Sequence, residues 1–131
     1  MPAEKYLFSK GVFLMFIIDI QMDYEKIIKT DNQEFFPDDR MVKAVADVDK
    51  GVLAVNASLH SDIEEYLLEN GSKQESLYGF NIYDDGSIEY DSMINPPRNR
   101  ADGYPRGGRD VSSPEKRQLI KELVDKWILP C

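Results

Sequence analysis

The chain has 131 residues, 16 Lys plus Arg against 24 Asp plus Glu, and a net charge of −8 at pH 7. That length suits one domain with a core burying roughly 65–70% of the unfolded surface. One Cys and one His exclude a disulfide framework, a Cys-based zinc site and a multi-His metal centre, and the acidic total argues against a general nucleic-acid binder.

Residues 1 to 11 (MPAEKYLFSKG) lack any period, and residues 1 to 14 are expected to form an N-terminal extension. The longest apolar run, Val12 to Ile18, is too short for a bilayer span of about 20 residues. Lys5 and Lys10 imitate the start of a signal peptide, but Asp19 follows the run directly and there is no small-residue cleavage site. Residues 12 to 20 therefore read as a buried strand, and the expected location is the cytoplasm, with no membrane partner.

Asp23 is placed to cap a short helix to about Thr30 with Ile27 and Ile28 turned inward. Residues 31 to 40 read as a connection, with Pro37 blocking a helix and Phe35 and Phe36 tucked under the core edge. From Met41 to Asp49, Val42, Ala44, Ala46 and Val48 fall on one face. Lys50-Gly51 marks a turn, and Val52 to Leu59 returns with Leu53, Val55, Ala57 and Leu59 on one side.

Ser61-Asp62-Ile63-Glu64 fits a capping box. The helix it opens carries Ile63, Tyr66 and Leu67 inward and ends at Asn70-Gly71. Residues 77 to 83 and 87 to 95 form a hairpin. A three-residue loop, Asp84 to Gly86, pairs Ile82 with Ile88 and puts Tyr78, Phe80, Tyr90 and Ile94 on the core side. Residues 96 to 112 read as an irregular loop. Ser113-Pro114 then opens a helix with Leu119, Ile120, Leu123, Val124, Trp127 and Ile128 on its apolar stripe.

The order β-α-β-β-α-β-β-α predicts an α+β fold over residues 15 to 131. It is a single domain with a mostly antiparallel sheet of about five strands and about three helices on one face.

Charge is unevenly spread. Residues 96 to 109 hold Arg98, Arg100, Arg106 and Arg109 against Asp102 alone, a local +3 that leaves −11 for the rest. The guanidinium fork matches phosphate or carboxylate at two points, and interleaved glycines let backbone amides approach an anion. The candidate anion-binding set is Arg98, Arg100, Arg106, Arg109, Asn95 and Ser92, with Asp91 helping to orient the arginines. The competing reading is a solvated loop whose arginines pair with the acidic body.

Asp47, Asp49, Asp84, Asp85, Glu89 and Asp91 are oxygen donors, and Asp47 to Gly51 faintly echoes an EF-hand loop. The echo lacks the third acidic position and the closing Glu, so neither metal nor cofactor is expected. His60 could act as a general base oriented by Asp91 or Glu64, but no nucleophile motif accompanies it. Gly71-Ser72-Lys73 follows a helix instead of opening one, which excludes a P-loop. Cys131 is terminal and carries no assigned role.

The stretches MVKAVADVDKGVLAVNASLHSD, LLENGSKQESLYGFNIY and IEYDSMIN resemble a small prokaryotic family known only as a domain of unknown function. The resemblance covers roughly Met15 to Ile128. It implies that residues 1 to 14 are an extension and that Met15 is the start. Where such sequences continue with Ile-Arg-Pro and Gly-Asn-Arg-Ser-Arg, this chain has Pro96-Pro97-Arg98 and Arg106-Gly107-Gly108-Arg109-Asp110-Val111, so only Arg109 and Val111 match.

Three functions are compatible with the residues. The leading one is a small binding module that recognises a phosphate-containing ligand through residues 96 to 110. A protein–protein interaction or regulatory subunit, monomer or homodimer, is the second, its acidic body meeting a basic protein partner or its sheet edge self-associating. A small hydrolase or transferase using His60 with Asp91 is the third.

Overall fold

The alternation at residues 41 to 47 builds the central strand of the molecule, β3 (Met41–Asp47). It is flanked by β4 (Val52–Val55) and β5 (Leu77–Tyr83), both antiparallel to it. The outer strands β1 (Phe16–Ile18) and β6 (Ile88–Glu89) complete a five-stranded sheet of order β1-β4-β3-β5-β6. The computed structural model describes residues 15–28 and 40–130. The expected extension at 1 to 14, the helix end near Thr30, the Phe35, Phe36 and Pro37 connection, and Cys131 lie outside those residues.

The β3–β4 turn closes at Gly51, whose φ of +73° suits a residue without Cβ. The Asp47 carboxylate sits inside this turn. It accepts the N–H groups of Asp49 and Lys50 and the Ser72 hydroxyl, while Asp49 accepts the Ser76 hydroxyl. These two acids are spent on the turn. Among the described residues, no group of three or more His, Cys, Asp or Glu could hold a metal ion.

Strand alternation sends side chains to two faces, and both are covered. On one face Val42, Ala44, Ala46, Leu53, Val55, Tyr78, Phe80 and Ile82 are buried with Tyr24 and Ile27 of α1 (Tyr24–Ile27) and Ile120 and Val124 of α4 (Pro114–Trp127). On the other, Val45, Ala54 and Leu77 are buried with Ile63 and Leu67 of α2 (His60–Glu69). Burying each of the Val, Leu, Ile and Phe side chains contributes about 1.5–3 kcal/mol. The expectation of helices on one face is thus corrected. Val45 and Ala54, between the residues that defined the first face, create a second apolar face that α2 must cover. A short parallel pair, β2 (Met22–Asp23) with β7 (Ile128–Leu129), completes an α+β domain.

Ile82 does pair with Ile88 and Asn81 with Glu89, the register of the three-residue loop. Ser113 caps α4 by accepting the Lys116 N–H at 3.2 Å. That helix ends at Trp127, because Ile128 turns extended to enter β7.

Other local expectations are corrected. Neither Asp23 nor Ser61 makes a side-chain cap. Helix α2 starts one residue before Ser61, with Leu59 as its N-cap. Strand β4 stops at Val55 because Asn56 takes a φ of +89°, which breaks the alternation and leaves Leu59 56% exposed. Strand β6 stops at Glu89. Ile94 therefore joins the α2 face rather than Phe80, and residues 95 to 101 form a helix, α3 (Asn95–Ala101), not loop. No helix among the described residues is long and apolar enough to cross a membrane.

Candidate functional site

Strand β6 pairs with β5 only at Asn81 and Ile82, so β5 needs other partners for Gly79 and Leu77 on that edge. Side chains of α3 supply them. The Asn95 amide accepts the Gly79 N–H and donates to the Gly79 carbonyl, both at 2.9 Å, as a neighbouring strand would. One turn later Arg98 Nε donates to the Leu77 carbonyl at 2.9 Å and Nη1 to the Ile94 carbonyl at 3.2 Å. Its Nη2 pairs with the Glu64 carboxylate of α2. Gly79 is required here, since a Cβ would come within 2.4 Å of Ser92 Oγ. Ser92 is fully buried, its hydroxyl accepting the Ile94 N–H and its own N–H donating to the Arg109 carbonyl.

Three of the six residues expected to bind an anion are therefore turned inward. Asn95, Arg98 and Ser92 are buried, with 6% exposure for Arg98 the largest. Their polar groups seal the sheet edge. The competing reading, arginines paired with the acidic body, holds for Arg98 on Glu64 and for Arg109, whose fork contacts both Asp91 oxygens at 2.9 and 3.2 Å.

Asn99, the next residue of α3, organises the following loop. Its Nδ2 donates to the Gly108 and Asp110 carbonyls, its Oδ1 accepts the Ser112 N–H, and its carbonyl accepts the Tyr104 N–H. Gly107 packs flat against it, for a Cβ there would lie 2.6 Å from Asn99 Cβ and 2.5 Å from Ser112 Oγ. The Asp110 carboxylate accepts the Gly108 N–H and the Ser112 hydroxyl.

The far end of α3 is anchored by a second cluster. Tyr78 donates its hydroxyl to Asp102, and Lys116 donates to both. Burial pushes the Tyr78 phenol up to about 12. Burial alone would lower the Lys116 ammonium, but its bonds to Asp102 and Tyr78 outweigh that and raise it.

The result is an open groove of about 410 Å³ lined by Tyr104, Arg106, Gly107, Gly108, Asp110 and Ser112, among others. Cβ atoms added at Gly103 and Gly108 would meet nothing within 4 Å, so both border free space. Arg106 and Arg100 are exposed and, among the described residues, carry no ion pair.

His60 sits elsewhere, on the α2 face. Its Nε2 bonds the Phe80 carbonyl at 2.8 Å. A carbonyl only accepts, so Nε2 carries the proton. Desolvation by burial lowers the ring to about 4, against the Phe80 bond that raises it. Phe80, not Asp91, orients this ring. Asp91 acts on it only as a charge and is itself held by Arg109. The arrangement expected for general-base chemistry is not formed.

Sequence reasoning missed α3 and Tyr104. Pro96 and Pro97 were the available signal for the helix, because first-turn N–H groups need no helical partner and proline suits that turn. Tyr104 was legible as the only aromatic residue among the glycines and arginines of 96 to 109.

These features define a small α+β domain whose third helix seals a sheet edge and carries a structured, arginine-bearing loop. The chain belongs to the family described as "Protein of unknown function (DUF5674)", whose model matches residues 16–127. No curated protein and no solved structure matches it.

Proposed function

We propose that this domain is a small binding module that takes an anionic, phosphate-containing ligand at the groove of residues 103–112. Arg106, which lines the groove, is the main contact, and Arg100, exposed at the end of α3 beside the lining rather than in it, adds positive charge. A single observation carries the reading: the loop presents an exposed arginine, Arg106, with no ion pair among the described residues, on a backbone already held by Asn99 and Asp110. A backbone ordered in advance spends less entropy on binding, and guanidinium–phosphate contacts are strong and two-pronged. Arg98, Asn95 and Ser92 leave the ligand set and become its scaffold. We also propose a cytoplasmic location, since one Cys in the whole chain fits a reducing compartment.

Inorganic phosphate, a single anionic group that Arg106 can hold alone, tests the reading. At low salt it is expected to raise the melting temperature of the wild-type chain. The Arg100→Ala/Arg106→Ala variant should melt at the wild-type temperature without ligand and show little or no shift with it. No shift in the wild type, or an undiminished shift in the variant, overturns the proposal.

A further inference from the structure

Three features of the groove go beyond charge. Tyr104 lines it with 38% of its surface exposed, and its backbone is held at both ends, N–H to the Asn99 carbonyl and carbonyl to the Gly107 N–H. Asp110 lines it too: its Oδ1 receives the Gly108 N–H and the Asn99 amide, and its Oδ2, which shares the Ser112 hydroxyl and lies 3.7 Å from Arg117 Nη2, keeps room for one more donor. The volume, about 410 Å³, lies at the small end of the range for small-molecule sites, about 300–1,000 Å³.

A ligand that is anionic throughout would set its charge against Asp110. The groove favours a molecule with charge at one end, hydroxyl donors in between and a flat ring for Tyr104 to stack on. We infer that the ligand of this groove is a mononucleotide, its phosphate on Arg106, its ribose hydroxyls toward Asp110 and its base on Tyr104. This rests on the anion-binding reading above and names its ligand class.

A single nucleotide, rather than a strand, follows from the charge distribution. Outside residues 96 to 109 the chain carries −11, so further phosphates of a polynucleotide would be laid along an acidic surface.

Calorimetric titration of the full chain with inorganic phosphate, ribose 5-phosphate, AMP and a single-stranded hexanucleotide tests the assignment. AMP is expected to bind about tenfold more tightly than ribose 5-phosphate, the increment of one aromatic–base stack. Tyr104→Leu should erase that increment and leave ribose 5-phosphate unchanged, while Tyr104→Phe keeps it. Arg106→Ala should lose both ligands. If AMP and ribose 5-phosphate bind equally, the nucleotide assignment falls and the anion reading stands. If none of the phosphates binds, both fall. Tighter binding of the hexanucleotide than of AMP overturns the mononucleotide assignment in favour of a strand.

Discussion

Arg98 and Arg106 are eight positions apart and chemically identical, yet they do opposite things. Arg98 closes a sheet edge: its guanidinium is spent on two carbonyls and on Glu64. Arg106 faces an open groove with no ion pair among the described residues. The same division separates residues 95 to 99, where Asn95, Arg98 and Asn99 are all buried, from residues 100 to 109, where every charged side chain except Asp102 is exposed. Whether a basic residue meets a ligand depends on what the neighbouring backbone lacks. On its β6 edge, strand β5 lacks a strand partner before Asn81, so the first turns of α3 are consumed in replacing it.

The contrast is sharpest in stability. Arg98→Ala would leave Glu64, 13% exposed, as an uncompensated charge together with the Leu77 carbonyl, which loses its partner at the sheet edge. A loss of about 3–5 kcal/mol is expected in urea denaturation. The Arg98→Met/Glu64→Leu double variant should recover much of it. A loss below about 1 kcal/mol for the single variant would dissolve the distinction between the two arginines.

His60 adds a pH dependence to the buried side. Its folded value, about 4, lies below the ordinary 6.5. Above pH 6.5 the ring is neutral in both states and costs nothing. As pH falls from 6.5 to about 4 only the unfolded chain gains the proton, so stability falls, by on the order of 3 kcal/mol in total. Melting temperatures across this window should decline more steeply for the wild type than for His60→Gln. Parallel slopes would show that the ring is not held neutral.

Glycines divide the loop as the arginines do. Gly107→Ala forces a Cβ against Asn99 and Ser112 and should cost about 1–3 kcal/mol. Gly108→Ala points into open space and should cost less than about 0.5 kcal/mol. Equal melting temperatures for the two variants would mean that Asn99 does not hold the loop in place. The smallest effects belong to the exposed arginines. Arg100→Ala and Arg106→Ala should each shift stability by less than about 0.5 kcal/mol in the absence of ligand. Larger losses in denaturant melts would assign these residues to the scaffold as well.

Local features were legible before the fold was known. The α4 stripe as far as Trp127, its Ser113 cap, the α2 stripe and the Ile82–Ile88 register depend on neighbours a few residues away, and each is found where its pattern put it, whereas Ile128 leaves the helix for β7. The Ser61 box looked equally local, yet α2 begins at His60, where burial of that ring and its bond to Phe80 claim the first turn. The α3 segment misled more deeply. Its prolines, glycines and arginines describe a loop by composition, yet the first turn of a helix also accommodates Pro96 and Pro97, because its N–H groups need no helical partner.

The amino-acid sequence by itself determined an α+β domain, the helical stripes, the hairpin register, an acidic body and a basic segment at 96 to 109. These follow from side-chain periodicity, turn chemistry and charge, all counted along the chain. Tertiary structure alone decided that helices cover both sheet faces, that Asn95 and Arg98 replace a missing strand, and that Arg106 and Tyr104 share a groove. Those outcomes depend on partners such as Glu64, 34 residues from Arg98, and on which backbone groups the sheet leaves unpaired. No periodicity in the chain encodes that.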